Sequence, residues 1–229
     1  MTDSARLQAN RRRRFVAQPM PSFRQLSAQF PALVIDAASA AIQVGLLNAD
    51  GSKHWYASGE ESGVAIFQGV EKLKVDLRGL GAFVFCEGPG SVLGIRTVAM
   101  ALRTWRVFKV TPIFSYCSLA LVAHGIGRRD LSVIADARRD AWHRYRIDHG
   151  LERAAATELT DALVMPEHFR HWSPLPPNVQ QVPYSLAEML PKVWDHDLLR
   201  ATEAPDAFLH EEPNYVKWTP QIHRAPAGT

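Results

Sequence analysis

At 229 residues, with 47% hydrophobic and 21% charged positions, the chain has the composition of an ordinary globular protein of one large or two small domains. No apolar run reaches the roughly 18 residues of a membrane helix. Two cysteines, Cys86 and Cys117, make no disulfide framework, so a reducing cytoplasm is the expected compartment. The net charge of +3 and the pI of about 9.0 come from the start of the chain: of 26 Lys+Arg and 23 Asp+Glu, six arginines and one acid lie in residues 1–30. The remainder is slightly acidic, which excludes a domain that is basic all over.

Residues 1–30 read as a disordered basic leader. They lack periodicity, carry the run Arg11–Arg14, and have no apolar segment of a secretory signal. Such a tail attracts RNA electrostatically, and Met20 offers an alternative start. From Pro31 the sequence predicts a buried strand, Leu33 to Ile35, closed by Asp36. A small-residue turn follows, then an alternating strand over Ile42, Val44 and Leu46, a hairpin at Asn48–Gly51, and a third strand from His54 to Ala57. Ser62–Leu73 predicts a helix with Val64, Phe67, Val70 and Leu73 on one face.

Ala82–Phe108 predicts strand, glycine turn and long helix. The apolar run Ala82–Cys86 breaks at Gly88-Pro89-Gly90. Ser91 is the expected N-cap, and Ile95, Val98, Ala99, Leu102 and Trp105 then recur at helical spacing. A strand at Val110–Phe114 and a helix at Ser118–His124, capped by Ser118 and stopped by Gly125, come next. Strands at Leu131–Ala135, closed by Asp136, and at Trp142–Ile147 follow. The pair Asp36-Ala37 and Asp136-Ala137, each ending an apolar strand before a returning strand, suggests two related halves. Beyond Gly150 no glycine occurs until Gly228, and prolines accumulate. Helical pieces are expected near Arg153–Leu163 and Leu186–Trp194, and a short strand or docked segment at Asn214–Trp218.

The glycine turn brings backbone N–H groups and a helix N-terminus to one point, which suits an anion, although a plain tight turn explains the same residues. Asp36 and Asp136 could face one another and hold a hydrated divalent ion beside a phosphate, or could serve only as turn residues. The candidate anion or nucleotide site is therefore Asp36, Ser39, Gly88, Gly90, Ser91 and Asp136. No catalytic residue and no metal site is assigned. His168 and His171 lack supporting ligands at zinc spacing, and Ser91 lies outside a nucleophile elbow.

Three segments, Leu33–Leu47 (LVIDAASAAIQVGLL), Glu87–Arg96 (EGPGSVLGIR) and Ile134–Tyr145 (IADARRDAWHRY), resemble the bacterial TsaB (YeaZ) family in order and spacing, and Glu212–Trp218 is similar to that family's ending. The resemblance covers roughly residues 31–150 and marks the chain as a divergent relative. Val92 and Leu93 stand where the family usually has Phe-Thr, and Glu61-Ser62-Gly63 stands where it has His-Ser. The resemblance implies an α/β fold of the actin/hexokinase-like class (ASKHA, ribonuclease H-like), with an N-terminal lobe at 31–125 and a shortened C-terminal lobe at 126–229. It further implies a non-catalytic scaffold in tRNA N6-threonylcarbamoyladenosine modification, pairing with a TsaD-like transferase subunit, joined by a TsaE-like ATPase, and meeting tRNA only through the complex. The pairing helices would be Ser62–Leu73 and Val92–Phe108, with Gly94, Ile95, Val98, Leu102 and Trp105 on the interface. Alternatives are a small ASKHA kinase, such as a type III pantothenate kinase, and a degenerate homodimeric binding protein. Weak ATP or ADP with Mg is the one cofactor considered. The glycine-free second half speaks against ATP turnover by this chain alone, because close approach to phosphate needs glycine turns from both lobes.

Overall fold

Near-continuous apolar runs in the first half build the central strands of a sheet, which are buried on both faces. The computed structural model describes residues 21–208. Strands β1 (Ala32–Asp36), β2 (Ile42–Leu47) and β3 (Lys53–Ser58) form an antiparallel meander. Helix α2 (Ser62–Lys72) leads to β4 (Ala82–Gly88), which pairs with β1 in parallel, and α3 (Val92–Trp105) leads to β5 (Ile113–Cys117), parallel to β4. The expected strand at Val110–Phe114 starts three residues later. Val110 is 80% exposed, and the ladder begins where Ile113 meets Phe83.

The second sheet repeats this plan. Strands β6 (Leu131–Asp136), β7 (Ala141–Arg146) and β8 (Gly150–Ala155) form a meander, β9 (Ala162–Pro166) joins β6 in parallel, and β10 (Gln180–Val182) joins β9 in parallel. The order β10-β9-β6-β7-β8 matches β5-β4-β1-β2-β3 strand for strand, so the Asp-Ala echo marks a true structural repeat. The second copy has lost its crossover helices. A single 3-10 turn, Ala156–Glu158, replaces the first, and an irregular loop through residues 167–179 replaces the second. The helix expected near Arg153–Leu163 is therefore strand, turn and strand. Its Ala-rich sequence favours helix locally, but sheet pairing and the burial of Ala154, Leu163 and Val164 decide.

Helix α4 (Ser118–Ile126) lies between the two sheets, which is why Leu119, Ala120, Leu121, Val122 and Ala123 are all buried. It runs to Gly127, whose φ of 73° ends it, rather than stopping at Gly125. Ser118 does not cap it; its hydroxyl donates to the Pro89 carbonyl (2.6 Å), and Cys117 occupies the cap position. Helix α5 (Leu186–Met189) with the following 3-10 turn Leu190–Val193 matches the helix expected at Leu186–Trp194.

Two boundaries differ from expectation. The leader reading fails for its last ten residues: Ser22 caps α1 (Phe23–Leu26), Phe23 and Leu26 are buried, and Phe23 stacks on Trp194 at 5.9 Å. Two well-spaced apolar residues suffice to dock so short a helix. The end of the described chain does not stay in the second lobe either. Strand β11 (Arg200–Ala201) pairs with β5 of the first sheet, and residues 203–206 lie along α3, where Arg96 pairs with Asp206 and Arg106 with Glu203. The earlier leader residues and Asn214–Trp218 lie outside the described residues. Among the described residues no helix is long and apolar enough to cross a membrane.

Candidate functional site

Asp36 sits at the end of β1, at the centre of the first sheet, and is fully buried. The hydroxyls of Tyr116 and Tyr184 donate to its Oδ2 (2.5 and 2.6 Å), and the Ala38 N–H donates to its Oδ1 (2.8 Å). Burial pushes its carboxyl up, against the lowering pull of those donors. Burial likewise raises the two phenols well above their usual value. Tyr184 comes from the segment before α5, and that segment is tied to the first sheet by Gln43. The Gln43 side chain donates to the Tyr184 carbonyl (3.0 Å) and accepts from the Leu186 N–H (2.8 Å). The cleft between the lobes is closed here by the chain itself.

The glycine turn has the same character. The Ser91 N–H donates to the Ala38 carbonyl (2.7 Å), joining the turn after β4 to the turn after β1. A Cβ on Gly90 would run into the Ala38 carbonyl oxygen, and one on Gly94 into that of Ala37. Gly88 has a φ of 113°, which further restricts it to glycine. These glycines let one backbone turn approach another. Ser91 caps α3 as expected, accepting from the Gly94 N–H (3.3 Å), and Ser39 closes its own turn with Ala41.

Asp136, the counterpart of Asp36, is half-buried and does not join it. Its Oδ2 accepts from the Trp172 and Ser173 N–H groups (2.5 and 2.8 Å), and its Oδ1 from the Arg138 N–H (2.5 Å). Partial burial opposes its charge, but the N–H groups of Ser173, Trp172 and Arg138 outweigh it and hold the carboxyl below the ordinary range. Its donors are backbone N–H groups, with the Ser173 hydroxyl 3.5 Å from Oδ1.

A nucleotide with Mg²⁺ does not fit these residues. Both oxygens of Asp36 are spent on buried donors, and Ala37 and Ala38 fill the space beside Gly90 and Gly94. Among the described residues no group of three or more His, Cys, Asp or Glu side chains could hold a metal ion. Both cysteines are free; burial raises the Cys86 thiol well above its usual value and pushes that of Cys117 up to about 11.

The surface features lie on α2 and α3, and on α3 the residues expected at an interface face inward. Gly94, Ile95, Val98, Leu102 and Trp105 are buried inside the subunit and cannot meet a partner. Their helical periodicity is that of a core face. On α2 the small residues Ala65 and Gly69 pack on the sheet, and a Cβ at Gly69 would come within 2.6 Å of Val44 Cγ2. Val64 and Phe67 are 45% and 52% exposed, while Val70 and Leu73 of the same stripe pack against the core. On α3, Leu93 is 78% and Met100 59% exposed. The two helices are neighbours, joined where the Phe67 ring meets Trp105 edge-on at 6.0 Å. Sequence reasoning missed Tyr116 and Tyr184 because nothing local marks a tyrosine as the partner of a distant aspartate.

No family model matches the sequence, and no curated protein does. Among solved structures the chain is similar to YeaZ from Pseudomonas aeruginosa, at 21% identity and a TM-score of 0.43 over 54% of this chain; it spans 63% of the length of that protein. It is also similar to an uncharacterized protein described as having similarity to peptidase YeaZ from Pseudomonas aeruginosa, at 17% identity and a TM-score of 0.46, over 59% of this chain and 74% of that one. The repeated strand order stands independently of these likenesses. The chain is an α/β protein built on two sheets of matching strand order, the second of which has no crossover helices among the described residues.

Proposed function

We propose that the chain is a non-catalytic subunit of a tRNA threonylcarbamoyl transfer complex and that it pairs with a TsaD-like subunit through the outer face of α2 and α3. The observation that carries this reading is the set of exposed apolar residues Val64, Phe67, Leu93 and Met100 on two adjacent helices. Large exposed apolar side chains on neighbouring helices favour a protein partner over solvent. The order of the three TsaB-like segments supports a TsaD-like class of partner. The self-filled cleft supports a structural role and gives no support to the kinase alternative.

The test is complementation. In a bacterial strain lacking its own TsaB, this chain is expected to restore threonylcarbamoyladenosine on tRNA, measured by mass spectrometry of nucleosides, and Leu93→Glu is expected to abolish the rescue. Absence of rescue by the unaltered, soluble chain would remove the reading. The same face could close on a second copy instead. A dimer of twice 25.5 kDa that persists in the presence of the TsaD-like subunit would favour that alternative.

A further inference from the structure

We infer that the end of the second sheet formed by the β6–β7 turn and the loop through residues 168–173 is a contact surface for single-stranded nucleic acid. Arg138, Arg139 and Asp140 follow one another with φ of 61°, 54° and 56°, a left-handed run that L residues seldom adopt. Asp136 holds it in place. Its Oδ1 accepts from the Arg138 N–H, and its Oδ2 from Trp172 and Ser173, so one carboxylate locks the turn against the loop. The result is an exposed Trp172, 64% accessible, with the Arg138 guanidinium 4.5 Å from its ring centre. A strained backbone kept in order to display an arginine and a tryptophan points to recognition.

The surrounding charges favour an anionic partner. Arg139 and Arg170 are exposed and have no carboxylate partner among the described residues, and His168 and His171 are exposed beside them. Of the nearby acids, Asp136 has spent both oxygens on N–H groups, leaving exposed Asp140 and half-buried Glu167. An aromatic face with arginines around it matches the stacking-plus-phosphate chemistry of single strands. An acidic polypeptide would use the arginines but would leave the tryptophan without a base to stack on. The inference is independent of any TsaD-like partner, since it rests on this surface alone.

The test uses the full chain with Arg11, Arg12, Arg13 and Arg14 all replaced by glutamine, so that the leader does not dominate. The probe is a fluorescein-labelled oligouridylate of roughly 12 nucleotides, and the readout is anisotropy against salt. Salt-dependent binding is expected. Trp172→Ala should weaken it by about tenfold, and Trp172→Phe should restore most of it. The double variant R139E/R170E should lower the slope of log K against log salt by about 1.4. Circular dichroism checks that these surface variants fold. No binding at low salt, binding unchanged in W172A and R139E/R170E, or displacement by polyglutamate as effective as by unlabelled oligouridylate would each overturn the inference.

Discussion

Each sheet ends its first strand in Asp-Ala, and the two carboxylates meet opposite surroundings. Asp36 ends the central strand of the first sheet, fully buried, where two phenols, the Ala38 N–H and the Cys86 thiol reach it. Asp136 ends the matching central strand of a sheet without crossover helices among the described residues, and the β6–β7 turn and the loop through residues 168–173 supply the N–H groups that satisfy it. One repeat has turned the aspartate inward as a core fastener, and the other uses it to pin a surface loop. In this chain, repetition of a strand plan carries no guarantee of a shared site. A ligand cleft needs both carboxylates free, and here neither is.

The sharpest way to break that comparison is at the turn that seals the first lobe. Gly94→Leu would drive a side chain into the Ala37 carbonyl, so it is expected to cost about 3 kcal/mol or more and to lower the melting temperature accordingly. The control is Gly63→Ala in α2, where a Cβ meets nothing within 4 Å and a gain of about 0.5–1 kcal/mol is expected. If Gly94→Leu left thermal unfolding unchanged, the turn-on-turn packing would be wrong.

Next in size is Tyr184→Phe, which removes one hydroxyl from a buried carboxylate. A loss of about 2 kcal/mol is expected in urea unfolding. An unchanged midpoint would mean that Asp36 does not depend on the segment linking the lobes.

The smallest effect is read by NMR titration of the two carboxyls. Asp36 should titrate above the ordinary value of 3.8 and Asp136 below it. Their linkage to stability then has opposite signs. Because Asp36 is raised, the folded state holds its proton longer, so its contribution favours folding below 3.8 and declines as pH rises through the folded value. Because Asp136 is depressed, its contribution is present above 3.8 and is lost as pH falls through the folded value. Two shifts of the same sign would erase the distinction between the lobes.

Much of the first lobe was legible in the sequence, because Leu33–Asp36, Ile42–Leu47 and Ala82–Cys86 alternate or cluster by burial, and Ser91 marks its helix start without ambiguity. The faces of α2 and α3 were not. Both helices are apolar on more than one side, and what decides is the smallness of Ala65 and Gly69, which lets α2 sit close on Val44 and Tyr56. The candidate site was legible only as positions. Asp36, Gly90 and Ser91 do converge, but on the Ala37-Ala38 turn of the chain itself, and the tyrosines that complete the network lie 80 and 148 residues from Asp36. Around Arg153–Leu163, local helix propensity pointed the wrong way because sheet pairing outweighs it.

The central claim, that the outer face of α2 and α3 is a subunit interface, is tested most directly by light scattering of this chain mixed with a TsaD-like subunit. The account predicts a one-to-one complex that Leu93→Glu abolishes without altering the far-ultraviolet spectrum or the melting temperature. A chain that stays alone in the mixture, or a complex indifferent to Leu93→Glu and Met100→Glu, would contradict it.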